Sequence, residues 1–230
     1  MKKTFALCVA LLACGSAFAQ EESENAVTME LPYVTKYVFR GVQIAKDSFQ
    51  PSVEVTSGSV YGGVWSSIPL HDRRDKETQE IDLYAAYAPR LNEKVSADMG
   101  ITYYYYPRVD RPGADDSLEL FAGLNATLGN FTPAAYIYRD LVLDTTTLQT
   151  SIGYSVPLKG LGTSLDLSVT FGSVIPDHDE RYCYYSAGVT VPYKLSDRVK
   201  LNVGVTYTEN DLDYEKDPGL WGTASIAISF

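Results

Sequence analysis

From about residue 27 onward the chain alternates apolar and polar side chains with a period of two. Leu118, Leu120, Ala122, Leu124, Ala126 and Leu128 share one parity; Glu119, Phe121, Gly123, Asn125 and Thr127 share the other. Val199, Leu201, Val203, Val205 and Tyr207 stand against Lys200, Asn202, Gly204, Thr206 and Thr208 in the same way, as do Leu165, Leu167, Val169 and Phe171 against Asp166, Ser168 and Thr170. A period of two sends successive side chains to opposite faces, so each segment predicts a strand with one apolar and one polar face. About twelve such strands follow one another, near 27–40, 48–57, 59–68, 79–88, 95–106, 117–128, 131–140, 147–157, 163–173, 182–192, 198–208 and 221–230. Most run ~9–12 residues, the length a tilted strand needs to cross a bilayer. An even count brings both chain ends to one side.

The connections carry a second signal. Ser57-Gly58-Ser59 and Gly129-Asn130 read as tight turns, and 89–94, 158–162 and 193–197 are also short. Between them come longer, charged loops at 41–47, 69–78, 107–116, 140–146, 172–181 and 209–220. Outer-membrane barrels have short periplasmic turns and longer extracellular loops. With the N-terminus in the periplasm, every longer connection lies outside. The aromatic residues then form two bands: Tyr37, Phe39, Tyr103, Tyr105, Phe171, Tyr185 and Tyr207 at the outer strand ends, Tyr61, Tyr87, Phe131, Tyr154, Tyr193 and Phe230 at the periplasmic ends. Two girdles around a Leu/Val/Ala band suit a membrane barrel. A soluble β-sandwich also alternates, but nothing in it requires alternating loop lengths or aromatic rims. The expected fold is therefore all-β, a closed antiparallel transmembrane β-barrel of about 12 strands.

The first nineteen residues change the picture in a different way. Lys2 and Lys3, the apolar run Phe5 to Ala13 and the small-x-small site Ala17-Phe18-Ala19 read as a cleavable signal peptide, with Gln20 opening the barrel domain, 20–230. Leu11-Leu12-Ala13-Cys14 allows a lipoprotein signal as the alternative. Cleavage removes Cys8 and Cys14 and leaves Cys183, so no internal disulfide is expected in an oxidising compartment. It also removes two lysines and no acid, taking the formal charge from −10 to about −12. That balance excludes a nucleic-acid partner, which needs a basic field.

If Leu, Ile and Val face lipid, the opposite parity faces the lumen. It carries Glu30, Lys36, Arg40, Gln50, Glu54, Glu80, Asp82, Asp98, Glu119, Asp166 and Lys200, seven acids against three bases. Charges at mid-depth are costly on the lipid face, so the interior is their place. There they either line a water-filled path that favours cations or pair across a narrow bore and close it. Arg40 has the same two options, to pair with a lumen carboxylate or to receive an anion at the outer rim. Gly62 and Gly63 are expected to relieve crowding between strands. The only histidines, His71 and His178, lie in loops beside acids; solvated loop side chains are the expectation over a weak metal site. No Gly-x-Ser-x-Gly elbow, phosphate loop or Cys-x-x-Cys occurs. No catalytic residue, cofactor or metal is assigned.

The ordered motifs resemble a known family. They are Tyr37-Val38-Phe39-Arg40-Gly41, then Pro51, Tyr61-Gly62-Gly63-Val64-Trp65-Ser66-Ser67, Glu80-Ile81-Asp82-Leu83-Tyr84 and Tyr103-Tyr104-Tyr105-Tyr106-Pro107. This order and spacing resembles the bacterial Gcw_chp family, also called the TorF family of outer-membrane porins. The resemblance implies a barrel that passes small hydrophilic solutes, and it supplies no catalytic residues. The rival is a non-conducting barrel that presents its loops. The final strand places Gly222, Ala224, Ile226, Ile228 and Phe230 on one face. An aromatic terminus on such a strand resembles the signal read by the barrel-assembly machinery, so that machinery and outer-membrane lipid are the expected partners.

Overall fold

The computed structural model describes residues 25–71, 78–107, 116–213 and 218–230; the leader, with its cleavage site, lies outside them. The alternation becomes strands β1 (Asn25–Val34), β2 (Tyr37–Phe39), β3 (Val42–Ala45), β4 (Ser48–Phe49), β5 (Ser52–Ser57), β6 (Val60–Pro69), β7 (Glu80–Tyr87) and β8 (Val95–Tyr105). They continue as β9 (Ser117–Ala126), β10 (Phe131–Asp140), β11 (Thr145–Leu158), β12 (Thr163–Pro176), β13 (Tyr182–Lys194), β14 (Val199–Asn210) and β15 (Gly219–Ser229). From β6 to β15 each strand pairs antiparallel with the next, and β1 pairs with β15 to close the ring, Thr28 opposite Ser229 and Val34 opposite Thr223. β4 and β5 are one wall strand interrupted at Gln50-Pro51, since proline offers no N–H to the ladder. The wall is thus a closed barrel of twelve strands, with both termini at one end, here the terminal end, and the longer loops at the other.

Burial follows parity around the wall. Along β7, Glu80, Asp82, Tyr84 and Ala86 are buried and Leu83, Ala85 and Tyr87 exposed. The outward face is apolar: Leu83, Leu124, Val169 and Val203 are each more than half exposed. So much contiguous exposed hydrocarbon would be a liability in water and is at home in a bilayer. Tyr103, Tyr105, Phe171, Tyr185 and Tyr207 at the loop end and Tyr87, Phe131, Tyr154, Tyr193 and Phe230 at the terminal end point outward, as the two bands require.

The first hairpin differs from the sequence expectation. The segment 27–40 is not one strand. β1 stops at Val34, and the chain bends at Thr35, where Thr35 N–H donates to Gly222 O at 3.0 Å and Gly222 N–H donates to Thr35 Oγ1 at 2.8 Å. It then turns into the barrel. β2 and β3 form a separate two-stranded sheet inside the ring, joined by Arg40 (φ 42°) and Gly41 (φ 86°). Two consecutive positive φ values in a two-residue loop make a primed hairpin turn, which glycine favours. So 41–47 is not an outer loop, Tyr37 and Phe39 leave the outer aromatic band, and Arg40 leaves the rim. All three are 4% exposed. Tyr61 likewise leaves the periplasmic band, its hydroxyl donating inward to Asp98 at 3.1 Å. Burial drives the hairpin correction: Tyr37, Phe39 and Ala45 pack with Val34, Tyr104, Tyr106 and Trp221 in an apolar cluster inside the mouth, a gain of ~1.5–3 kcal/mol per large side chain.

Candidate functional site

The hairpin divides the interior. In the loop-end half, every wall strand contributes an inward side chain that is buried: Val34, Ser48, Ser67, Glu80, Tyr104, Glu119, Asp140, Thr147, Val174, Tyr184, Thr208 and Trp221. That half is filled. In the terminal half, Glu30, Glu54, Tyr61, Asn125, Tyr136, Asp166 and Asn202 are only half-buried, so water reaches a polar chamber from that end.

At the junction sits Arg40. Its guanidinium meets Glu119 at two points: Nη2 donates to Oε1 at 2.9 Å, and Nη1 lies 2.9 Å from Oε2 as a charge contact without hydrogen-bond geometry; both side chains are almost fully buried. A hydrogen bond between two charged groups is stronger than a neutral one. The Arg40 guanidinium carbon lies 4.7 Å from the ring centres of Phe39 on the hairpin and Tyr138 on β10, so rings flank the cation. Tyr104 donates to Glu119 at 3.0 Å. Glu80 accepts from Tyr37 on the hairpin and from Tyr106, both at 2.9 Å. Asp82, on the same strand face as Glu80, is fully buried with its carboxyl against that of Glu80. The Asn210 amide holds the hairpin tip by donating to Gly41 O at 2.7 Å.

The other residues singled out from the sequence fall in distinct places. Glu54 accepts from Tyr84 at 3.0 Å, and Asp98 accepts from Tyr61 and Tyr136 at 3.1 and 2.9 Å, all within the chamber. Asp166 accepts from Ser155 at 2.6 Å near the terminal end. Glu30, Ala227 and Lys200 occupy one row across β1, β15 and β14. Lys36 donates to Pro218 O at 2.6 Å beside the hairpin neck, and the Gln50 amide reaches Ser67 Oγ at 3.5 Å. The fold therefore joins Arg40, Glu80, Asp82 and Glu119, and keeps Glu54 and Asp98 with their tyrosines below them. Of the family motif, the Trp65 ring packs tilted against Tyr37 at 5.7 Å between centres, and a side chain on Gly63 would stand 2.6 Å from the Tyr84 hydroxyl.

Sequence parity alone passed over the tyrosines. Tyr84, Tyr104, Tyr136 and Tyr138 have the inward parity of the acids; the first three donate to Glu54, Glu119 and Asp98, and Tyr138 flanks the Arg40 guanidinium. Phe121, Tyr136 and Tyr138 form an aromatic ladder, with Tyr136 and Tyr138 at 5.7 Å and nearly parallel. At the outer surface, His71 meets Asp47 at 2.7 Å. Arg139 bonds Asp144 and Asp177, and its hydrogen bonds hold the exposed Asp177 carboxyl below the usual range. Among the described residues no group of three His, Cys, Asp or Glu side chains is placed to hold a metal ion.

Gly41 tests the hairpin without touching a charge. A Cβ there would lie 2.5 Å from Tyr184 Cβ, at a φ of 86°. Gly41→Ala is expected to cost about 2–5 kcal/mol, the left-handed penalty of ~1–2 plus overpacking of ~1–3. A lowered urea midpoint for the heat-modifiable gel band is the readout, and an unchanged midpoint would contradict the packing described.

A closed barrel with an apolar belt and a polar interior defines the class: the fold is that of outer-membrane porins. The KdgM porin solved in complex with oligogalacturonate superposes with a TM-score of 0.61 at 9% identity, over 89% of this chain and 99% of that one. The NanC porin gives 0.53 at 11% identity, over 89% and 98%. The COG4313 outer membrane channel of Pseudomonas putida F1 gives 0.53 at 14%, over 90% and 95%. The chain belongs to the Gcw_chp family, described as a bacterial protein of unknown function, whose model matches residues 18–219. No curated protein sequence matches it.

Proposed function

We propose that the protein is an exported outer-membrane channel for small hydrophilic solutes, standing closed in this conformation. The terminal end faces the periplasm, the apolar belt faces outer-membrane lipid, and the exposed Phe230 on the closing strand is what the assembly machinery reads. The observation that carries the reading is the divided interior: a wetted polar chamber lies beneath a seal made by a hairpin that is not part of the wall. A barrel meant only to hold loops has no use for such a chamber. No catalytic role is assigned.

The acids set the expected selectivity. KdgM was solved with oligogalacturonate, a polyanion; an interior with Asp140 and the seven other inward acids against three bases suits cations instead. Glu30, Glu54 and Asp166 are half-buried in the chamber and Asp98 is buried in its wall beside Tyr61 and Tyr136, whereas Glu80 and Asp82 lie in the filled half. Planar-bilayer recordings of the refolded protein in a KCl gradient should give a cation-selective reversal potential. The preference should shrink between 0.1 M and 1 M salt as the Debye length falls from ~10 to ~3 Å. Glu54→Gln with Asp98→Asn should reduce it, because amides keep the shape and remove the charge. Anion selectivity in the unmodified protein would overturn the reading. The sealed outer half favours one rival, a barrel that never conducts, and removal of the hairpin decides between them.

A further inference from the structure

We propose that the seat occupied by Arg40 is a binding site for guanidinium-bearing solutes, which Arg40 fills from within the same chain. This rests on the channel reading for its role but not for its test. Three features of the wall build the seat. Glu119 on β9 presents both carboxylate oxygens at 2.9 Å to two guanidinium nitrogens, one as a hydrogen bond and one as a charge contact, a two-point match that an alkali ion or a single ammonium does not reproduce. Tyr138 on β10 lays its ring 4.7 Å from the guanidinium carbon. Tyr104 on β8 donates to Glu119 Oε1 at 3.0 Å and so holds the carboxylate in place from the wall.

The occupant is separable from the site. Glu119, Tyr138 and Tyr104 belong to the barrel wall, while Arg40 rides on the two-stranded hairpin, which forms its own sheet on a neck at Thr35-Lys36 and Lys46-Asp47. Tethering gives Arg40 a high effective concentration, which a short linker sets in the millimolar range (~mM). A free solute therefore competes poorly in the native chain and freely once Arg40 is shortened. An arginine-like or other alkylguanidinium solute that displaces Arg40 takes its carboxylate and ring contacts and lets the hairpin leave the mouth. Solute recognition and opening then become one event.

The test is chemical rescue in the folded barrel. Arg40→Ala protein in detergent is titrated with methylguanidinium chloride, against potassium chloride at equal ionic strength and against urea, and the thermal midpoint of the heat-modifiable band is read. Methylguanidinium should restore the midpoint saturably. At ten times its dissociation constant the expected rise is about 3–6 °C for a chain of this size. The native protein and Arg40→Ala with Glu119→Gln should show no such rise. If Arg40→Ala does not fold, Arg40→Lys serves in its place, since a single ammonium holds the carboxylate less well and should yield to methylguanidinium. No rise in the variant that folds, an equal rise with potassium chloride, or an equal rise without the Glu119 carboxylate overturns the site. A barrel that never conducts but shows the rescue keeps the site and loses the channel; a conducting barrel without rescue loses the site alone.

Discussion

Replacing residues 36–45 by a short Gly-Ser turn will convert a barrel of low conductance into one that conducts severalfold more. The hairpin supplies Tyr37, Phe39, Arg40 and Ala45 to the filled half, and the wall does not need it. β1 pairs with β5 over Asn25–Ser57 to Glu30–Ser52 and with β4 at Tyr33 and Val34, and on its other side with β15, so the ring stays hydrogen-bonded when the hairpin is gone. Twelve strands enclose a bore between the side-chain-filled eight-stranded barrels and the open sixteen-stranded porins. Clearing the insert should therefore open a continuous path. The deletion also strands Glu119 and Glu80 without Arg40 and Tyr37, so the widened path should become more cation-selective than the native one. Single-channel amplitude and reversal potential in planar bilayers report both. Unchanged silence after deletion would mean that the wall residues alone close the barrel, and the non-conducting account would stand.

The hairpin also shows where sequence reading stops. Strand existence, the ring and the inward parity of the acids are local properties, written into Glu80-Ile81-Asp82 or Leu118-Glu119-Leu120 by alternation alone. The inward fold at Thr35 is not. Tyr37 and Phe39 continue the odd parity of Met29 and Leu31, so a two-residue bend leaves the pattern intact while moving the side chains from the membrane side to the interior. The signal that was present is Arg40-Gly41 between two short alternating runs, but arginine at positive φ is uncommon and the dipeptide is a weak turn mark. The pairings were out of reach for another reason. Arg40 and Glu119 are 79 residues apart, and Tyr37 and Glu80 are 43 apart. Parity says that both point inward, and only closure of the ring decides which of seven acids the single guanidinium meets.

That choice makes two neighbouring acids respond in opposite directions, which is the sharpest stability test of the interior. Glu119→Gln removes the charge that neutralises a guanidinium buried to about 1% exposure. The amide keeps one acceptor for the Nη2 hydrogen bond, removes the negative charge beside Nη1 and sets its own N–H groups against a cation. Breaking a buried ion pair by removing one partner costs about 3–5 kcal/mol, because the remaining charge is left uncompensated. Asp82→Asn acts on a side chain just as buried but set against the Glu80 carboxyl rather than a cation. The amide is nearly isosteric, ends the contact between two acidic groups and offers Glu80 an N–H one step along the same side of β7. Burying two acidic groups together without a cation is costly, so this change should be neutral or raise stability by about 1 kcal/mol, the net worth of one hydrogen bond. Urea unfolding of the two variants in lipid vesicles, followed by tryptophan emission, separates these outcomes: Trp65 contacts the hairpin and Trp221 lies in the same cluster. Equal losses would show that Asp82 is held by partners comparable to Arg40. Equal indifference would show that the hairpin is seated by its apolar contacts alone, with the Arg40–Glu119 pair contributing little.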